Sequence, residues 1–131
     1  MPWPRAALVV DATGVGWAVV DHLRAGGLDP VAVSITAGRE TALVDGKYRV
    51  PKRELVQALV TAIESGRLKV ANGIPDARVF LREARDFTVT AGECGHVRFA
   101  GRTEHDDLVI AVALVVWWRG HPGRGVPLSG P

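Results

Sequence analysis

The chain has 131 residues, 47% of them hydrophobic, and its 16 lysines and arginines against 14 aspartates and glutamates give a net charge of +2. A chain of this length can bury a core without disulfides. Its composition excludes the disordered and fibrous classes of protein. The single cysteine cannot pair within the chain, so a disulfide framework is excluded and a cytoplasmic protein is favoured. The longest apolar run, residues 108–118, is shorter than the roughly 20 residues that span a bilayer, and we expect neither a membrane segment nor a signal peptide.

The first third of the sequence predicts a strand, a helix and a second strand. An apolar run over residues 6–10 ends at Asp11, and apolar residues then recur at helical spacing until the glycine pair at residues 26–27. A β-branched run follows over residues 31–35. Two buried strands joined by a helix form a βαβ unit, so we expect a parallel sheet with both faces covered.

A hairpin and a helix are predicted next. Asp45-Gly46 lies between the strand-like segments 41–44 and 47–50, which is typical of a β-hairpin. Pro51 suits the first position of a helix, and apolar residues at i, i+4 spacing continue that helix to residues 65–66.

The second half of the sequence is less regular. We expect a short strand over residues 68–70, a helix that Pro75 opens, and a strand and loop over residues 88–100. A helix over residues 104–118 is apolar nearly all round, which indicates deep burial or a face covered by another chain. One domain over residues 1–118, followed by a disordered Gly/Pro-rich tail over residues 119–131, is the predicted organisation.

Acidic residues mark two places in this fold. Asp11 ends the first strand, while Glu104, Asp106 and Asp107 cluster at the start of the last helix. Ligands gather at the carboxyl ends of parallel strands, and Mg²⁺ or Mn²⁺ prefers carboxylate oxygens, so a metal site is one interpretation. The alternative is that these acids complement the helix dipole, with Thr103-x-x-Asp106 as a capping box.

Basic residues accompany these acids in the hairpin and at the next helix start. A basic rim beside an acidic pocket suits cleavage of a phosphodiester backbone, because the rim holds the polyanion while metals act at the phosphate. An ordinary solvated hairpin explains the same charges. The five candidates are Arg39, Lys47, Arg49, Lys52 and Arg53.

The glycines after the first strand allow another interpretation. Gly14 and Gly16 resemble part of a dinucleotide fingerprint, but its third glycine is replaced by Val19. An α/β module whose backbone N–H groups bind an anion therefore stays open as an alternative. His105 is a candidate ligand or proton shuttle, or simply a polar residue at a helix start.

Seven segments in order resemble the C-terminal nuclease domain of phage large terminase subunits. The resemblance extends to about residue 118. The segments are Val9-Val-Asp11-Ala-Thr-Gly14-Val-Gly16, Asp21-His-Leu23, Pro30-Val-Ala-Val-Ser-Ile-Thr36, Val50-Pro51-Lys52-x-x-Leu55-Val56, Leu68-Lys-Val-Ala71, Phe80-x-x-Glu83-Ala-x-x-Phe87 and His105-Asp106-Asp107-Leu108-Val-Ile-Ala-Val-Ala113.

This resemblance implies a partial RNase H-like α/β fold and a hydrolase that cuts double-stranded viral DNA with two divalent metals, Mg²⁺ or Mn²⁺. By similarity, Asp11 matches the second acidic position of the family, and Asp106 with Asp107 matches the acidic pair of its last helix. The family's first metal-binding Asp and its ATPase motor precede the matched segment, so the chain is either a fragment or a shortened relative encoded by a phage or prophage.

The missing strands lead to two further expectations. The strand over residues 6–10 would lie at an open sheet edge, covered by a second copy, by residues 1–5 or by a separate partner such as the N-terminal part of a larger protein. A catalytically incomplete prophage remnant that binds DNA or protein, or that oligomerises, is the alternative to a working nuclease.

Overall fold

The computed structural model describes residues 6–14, 16–92 and 106–122. It is an α/β structure with a mixed four-stranded sheet and four helices, so the predicted α/β class, consistent with a partial RNase H-like fold, is confirmed. The described residues form two compact units, of which the first ends at Pro51 and the second spans Lys52–Pro122. In chain order the elements are β1 (Val9–Asp11), α1 (Gly16–Ala25), β2 (Val31–Thr36), β3 (Ala42–Val44), β4 (Lys47–Pro51), α2 (Lys52–Glu64), α3 (Ala77–Gly92) and α4 (Asp107–Gly120).

The first unit contains the sheet, whose described strands have the order β1-β2-β4-β3. β1 pairs with β2 and β2 with β4 in parallel, and the register aligns Asp11 with Val33 and Val33 with Tyr48. β3 pairs with β4 in antiparallel orientation. The predicted βαβ unit is confirmed, and β1 is the outermost strand on its side of the described sheet.

The turn between β3 and β4 explains why the chain reverses there. Asp45 and Gly46 have φ values of 52° and 74°, the left-handed pair that a two-residue type I′ turn requires. Few residues tolerate this conformation, and Asp-Gly is among the preferred pairs. The predicted hairpin is therefore confirmed.

α1 packs on the sheet through a small apolar cluster. Val20 is completely buried with Ala12 and Ala32, and Val10 and Trp17 pack against them while partly buried. The helix ends at the predicted glycine pair, where the N–H groups of residues 27 and 28 bond back to the carbonyl groups of residues 24 and 23.

The second unit consists of α2, α3 and α4, which pack against one another. The buried residues of α2 recur at helical spacing, as the sequence predicts. None of the helices among the described residues is long and apolar enough to cross a membrane. The buried apolar residues of this unit are Leu55, Val56, Leu59, Ala62, Phe80, Ala84, Phe87, Val109, Ile110, Ala113, Leu114, Trp117 and Trp118.

Two predicted strands are wrong. No strand forms over residues 68–70, because the Leu68 N–H bonds back to the Ala62 carbonyl at 3.0 Å and closes the turn after α2. The strand and loop predicted over residues 88–100 are wrong over residues 88–92, which continue α3. Phe80, Ala84 and Phe87 of α3 are buried, and the helix continues beyond them through a Thr-Val-Thr segment of local β propensity. Residues 93–100 lie outside the described residues.

Several element boundaries also differ from expectation. β1 spans Val9–Asp11 rather than residues 6–10, and α3 begins at Ala77 rather than at Pro75. Pro51 is the last residue of β4, aligned with Thr36 of β2, and the helix begins one residue later. A proline at the end of a ladder costs little, because its missing N–H has no ladder bond left to make. α4 extends through Gly120, two residues into the segment predicted as a tail.

Candidate functional site

Asp11 is held in place at the end of β1 by the residue two positions later. Its Oδ1 accepts hydrogen bonds from the Thr13 N–H at 3.0 Å and from the Thr13 hydroxyl at 2.5 Å. The same hydroxyl oxygen accepts the N–H of Ile35 in β2 at 2.9 Å. Thr13 therefore links the Asp11 carboxylate to the neighbouring strand. Its role was not predicted, although the Asp-x-Thr spacing is a signal for such a turn.

The step from β1 into α1 depends on Gly16. A Cβ atom at this position would lie 2.7 Å from the main-chain carbonyl oxygen of Asp11, closer than van der Waals contact permits. Glycine thus allows the first turn of α1 to approach the end of the strand. This explains the glycine without a bound nucleotide or phosphate.

The loop after β2 continues the same edge of the sheet. The Gly38 N–H bonds to the Thr36 hydroxyl at 3.2 Å, and Arg39 follows as an exposed side chain. Since β1, β2 and β4 are parallel, Asp11 and Thr36 both lie towards the carboxyl ends of their strands. This edge of the first unit is where ligands bind in open α/β sheets.

The five predicted DNA-binding residues fall into two groups. The Lys47 ammonium lies 3.8 Å from the centre of the Trp17 ring, and the Lys52 ammonium lies 5.1 Å from that of Phe87. Both lysines are half-buried and take part in cation–π contacts within their own units. The other three side chains are exposed: Arg39, Arg49 and Arg53.

The start of α4, in the second unit, carries two of the predicted acidic residues. Asp106 occupies the N-cap position and is only 9% exposed, whereas Asp107 in the first turn is exposed. The Asp106 carboxylate makes no hydrogen bond to the first turn of α4. Instead Glu83 of α3 accepts the Val109 N–H at 3.3 Å.

These contacts bear on the capping alternative. Asp106 precedes the helix rather than standing in its first turn, so it does not occupy the place that a capping box with Thr103 would give it. Glu83 supplies a carboxylate to the helix N-terminus from another helix, and its role was not predicted because no local pattern joins residues 26 positions apart. Thr103, Glu104 and His105 lie outside the described residues.

The donor set suits a hard cation. The described candidates are carboxylates, whose oxygens Mg²⁺ and Mn²⁺ prefer, and Mg²⁺ often takes only one or two of them with water and phosphate oxygens. Asp11 belongs to the first unit, and Asp106 and Asp107 to the second. Over the described ranges, no group of three or more His, Cys, Asp or Glu residues could hold a metal ion by itself. Each unit by itself therefore offers one or two of the predicted carboxylates, the number that Mg²⁺ often takes from a protein.

No family model, curated protein or solved structure matches this chain. The resemblance to terminase nucleases therefore rests on the seven sequence segments.

Proposed function

We propose that this chain is a nuclease module of the terminase type, which cleaves double-stranded DNA with Mg²⁺ or Mn²⁺. The observation that carries the proposal is Asp106, an acidic side chain only 9% exposed that does not cap the helix it precedes. Burying a carboxylate is costly unless a hydrogen-bonding partner or a cation compensates its charge. No buried side-chain oxygen among the described residues lacks a hydrogen-bond partner, so a metal ion at the start of α4 would add to the contacts of this carboxylate.

Asp11 is proposed as the ligand contributed by the sheet. Thr13 fixes the direction of its carboxylate through two hydrogen bonds to Oδ1, so little reorganisation accompanies binding. Asp107 is proposed as the exposed member of the helix pair, open to water and phosphate oxygens. When bound, divalent metals would activate a water molecule and stabilise the leaving oxygen of the scissile phosphate.

The basic residues would hold the DNA. Exposed arginines suit this role because a guanidinium donates two parallel hydrogen bonds to a phosphate. We therefore propose Arg39, Arg49 and Arg53 as primary backbone contacts, with Lys47 and Lys52 adding charge from their places over aromatic rings. A protein of this function would act in the cytoplasm of a bacterial host.

Nicking of supercoiled plasmid tests the proposal. The wild-type chain is expected to cut in Mn²⁺ and not in excess chelator, and the Asp106→Asn, Asp107→Asn double variant is expected to lose cutting with its melting temperature nearly unchanged. Asp21→Asn removes an exposed carboxylate on α1 and serves as the matched control that keeps full activity. Equal cutting by the double variant would refute the assignment.

Calorimetric titration with Mn²⁺ tests metal binding independently of cleavage. The wild type is expected to bind saturably, with Asp11→Asn and Asp106→Asn each weakening the affinity about tenfold or more. A chain that binds DNA but neither binds Mn²⁺ nor cuts would instead be the catalytically incomplete DNA-binding module.

A further inference from the structure

α4 presents a row of residues that the rest of the described structure leaves exposed. Four residues spaced four apart, Asp107, Ala111, Val115 and Arg119, are all exposed, whereas the opposite side of the helix is buried. Val115 is 61% exposed, and the neighbouring Leu108 is 37% exposed. The acid at the amino end and the base at the carboxyl end complement the helix dipole, and the apolar residues between them lie on the surface of the described structure.

The row is complementary to itself when reversed. Asp107 and Arg119 are equidistant from Ala113, and so are the small Ala111 and the larger Val115. If a second copy of α4 lies antiparallel over the first, each acid meets the partner's base and each alanine meets the partner's valine. This is the pattern of an isologous two-fold interface, in which each residue contacts its counterpart in both directions.

Helix geometry allows the two rows to meet. Residues four apart form ridges inclined to the helix axis, and such ridges from two helices align when the axes cross at about 50°. The antiparallel arrangement also places the amino end of each helix dipole near the carboxyl end of the other. Two apolar contacts at the centre and two ion pairs at the ends then form at once.

We propose that this row, the 107–119 row, is a self-association surface through which two copies of the chain pair about a two-fold axis. The inference does not rest on the proposed function and gives Asp107 a different role, because a carboxylate that pairs with the partner's Arg119 is not open to a metal ion. One helix face is a small contact, so the expected dissociation constant is of the order of 10–100 μM. Because the terminal pairs are exposed ion pairs, association should weaken as salt rises.

Sedimentation equilibrium of the full chain up to about 1 mM tests this surface. Arg119→Glu is expected to weaken association about tenfold, because both symmetric pairs change from attraction to repulsion. Asp107→Arg should weaken it similarly for the converse reason. The double variant Asp107→Arg, Arg119→Glu restores both pairs with reversed sign and should recover most of the wild-type affinity.

A second comparison tests the apolar centre. Val115→Glu is expected to abolish association, while Leu81→Glu, at a position on α3 that is 54% exposed, should leave it unchanged. Circular dichroism would establish that every variant is folded. A wild type that stays monomeric to about 1 mM would overturn the proposal, as would a double variant that fails to recover affinity. Equal loss in the Leu81 control would also overturn it.

Discussion

Replacing Thr13 with valine tests the link between the Asp11 carboxylate and the sheet. Valine has nearly the shape of threonine, so the change removes the hydroxyl while keeping the packing. It eliminates the 2.5 Å bond to Asp11 and leaves the Ile35 N–H, which bonds to this hydroxyl at 2.9 Å, without its acceptor. The substitution therefore isolates the contribution of one oxygen atom.

The magnitude follows from the two bonds. A hydrogen bond to a charged group contributes about 1.5–3 kcal/mol, and an N–H left without an acceptor costs about 1–3 kcal/mol. Because both bonds are only partly buried, values near the lower ends apply. We expect the free energy of unfolding to fall by about 2 kcal/mol, which lowers the melting temperature by roughly 6–10 °C in a domain of this size.

Urea unfolding and amide exchange measure this effect. The unfolding midpoint should fall with an unchanged m value, and the Ile35 amide should exchange about 30-fold faster if its opening follows the stability change. Thr13→Ser keeps the hydroxyl and should lose less than about 1 kcal/mol. If Thr13→Val were within about 0.5 kcal/mol of wild type, Thr13 would not stabilise this edge as inferred.

Four further substitutions test the packing and one long-range hydrogen bond. Gly16→Ala should lower the free energy of unfolding, measured in urea, by about 1–3 kcal/mol, because its Cβ would lie 2.7 Å from a main-chain oxygen. Gly120→Ala is the control and should be neutral or stabilising, because no atom lies within 4 Å of its Cβ. A change of the same sign in both variants would contradict the steric explanation. Leu59→Ala removes a completely buried side chain and should lower the free energy of unfolding by about 2–5 kcal/mol. A loss below about 1 kcal/mol would show that neighbouring side chains move in and fill the cavity. Glu83→Ala should lower the free energy of unfolding by about 0.5–2 kcal/mol and speed hydrogen exchange of the Val109 amide. An unchanged exchange rate would show that Glu83 does not stabilise this end of α4.

The elements whose signals are local could be predicted from the sequence. The βαβ unit follows from two apolar runs around a glycine-bounded helix, and the hairpin follows from Asp45-Gly46, because few other pairs adopt its backbone conformation. α2 follows from apolar residues at helical spacing. In each case, residues close in the chain carry enough information to fix the backbone.

Features that depend on residues distant in the chain could not be predicted from the sequence and are seen only in the folded structure. Residues 88–92 continue the helix α3, although their local preference is for a strand. Thr13 bonds to Ile35, and Glu83 bonds to Val109 of a helix that it does not precede directly.

Burial separates residues that the sequence presents as equivalent. Asp106 and Asp107 are adjacent and chemically identical, yet the first is buried and the second is exposed. The apolar sequence of α4 likewise contains both a buried face and the 107–119 row. Helical periodicity cannot distinguish these faces when apolar residues surround the helix, so only the neighbouring elements determine which side meets water.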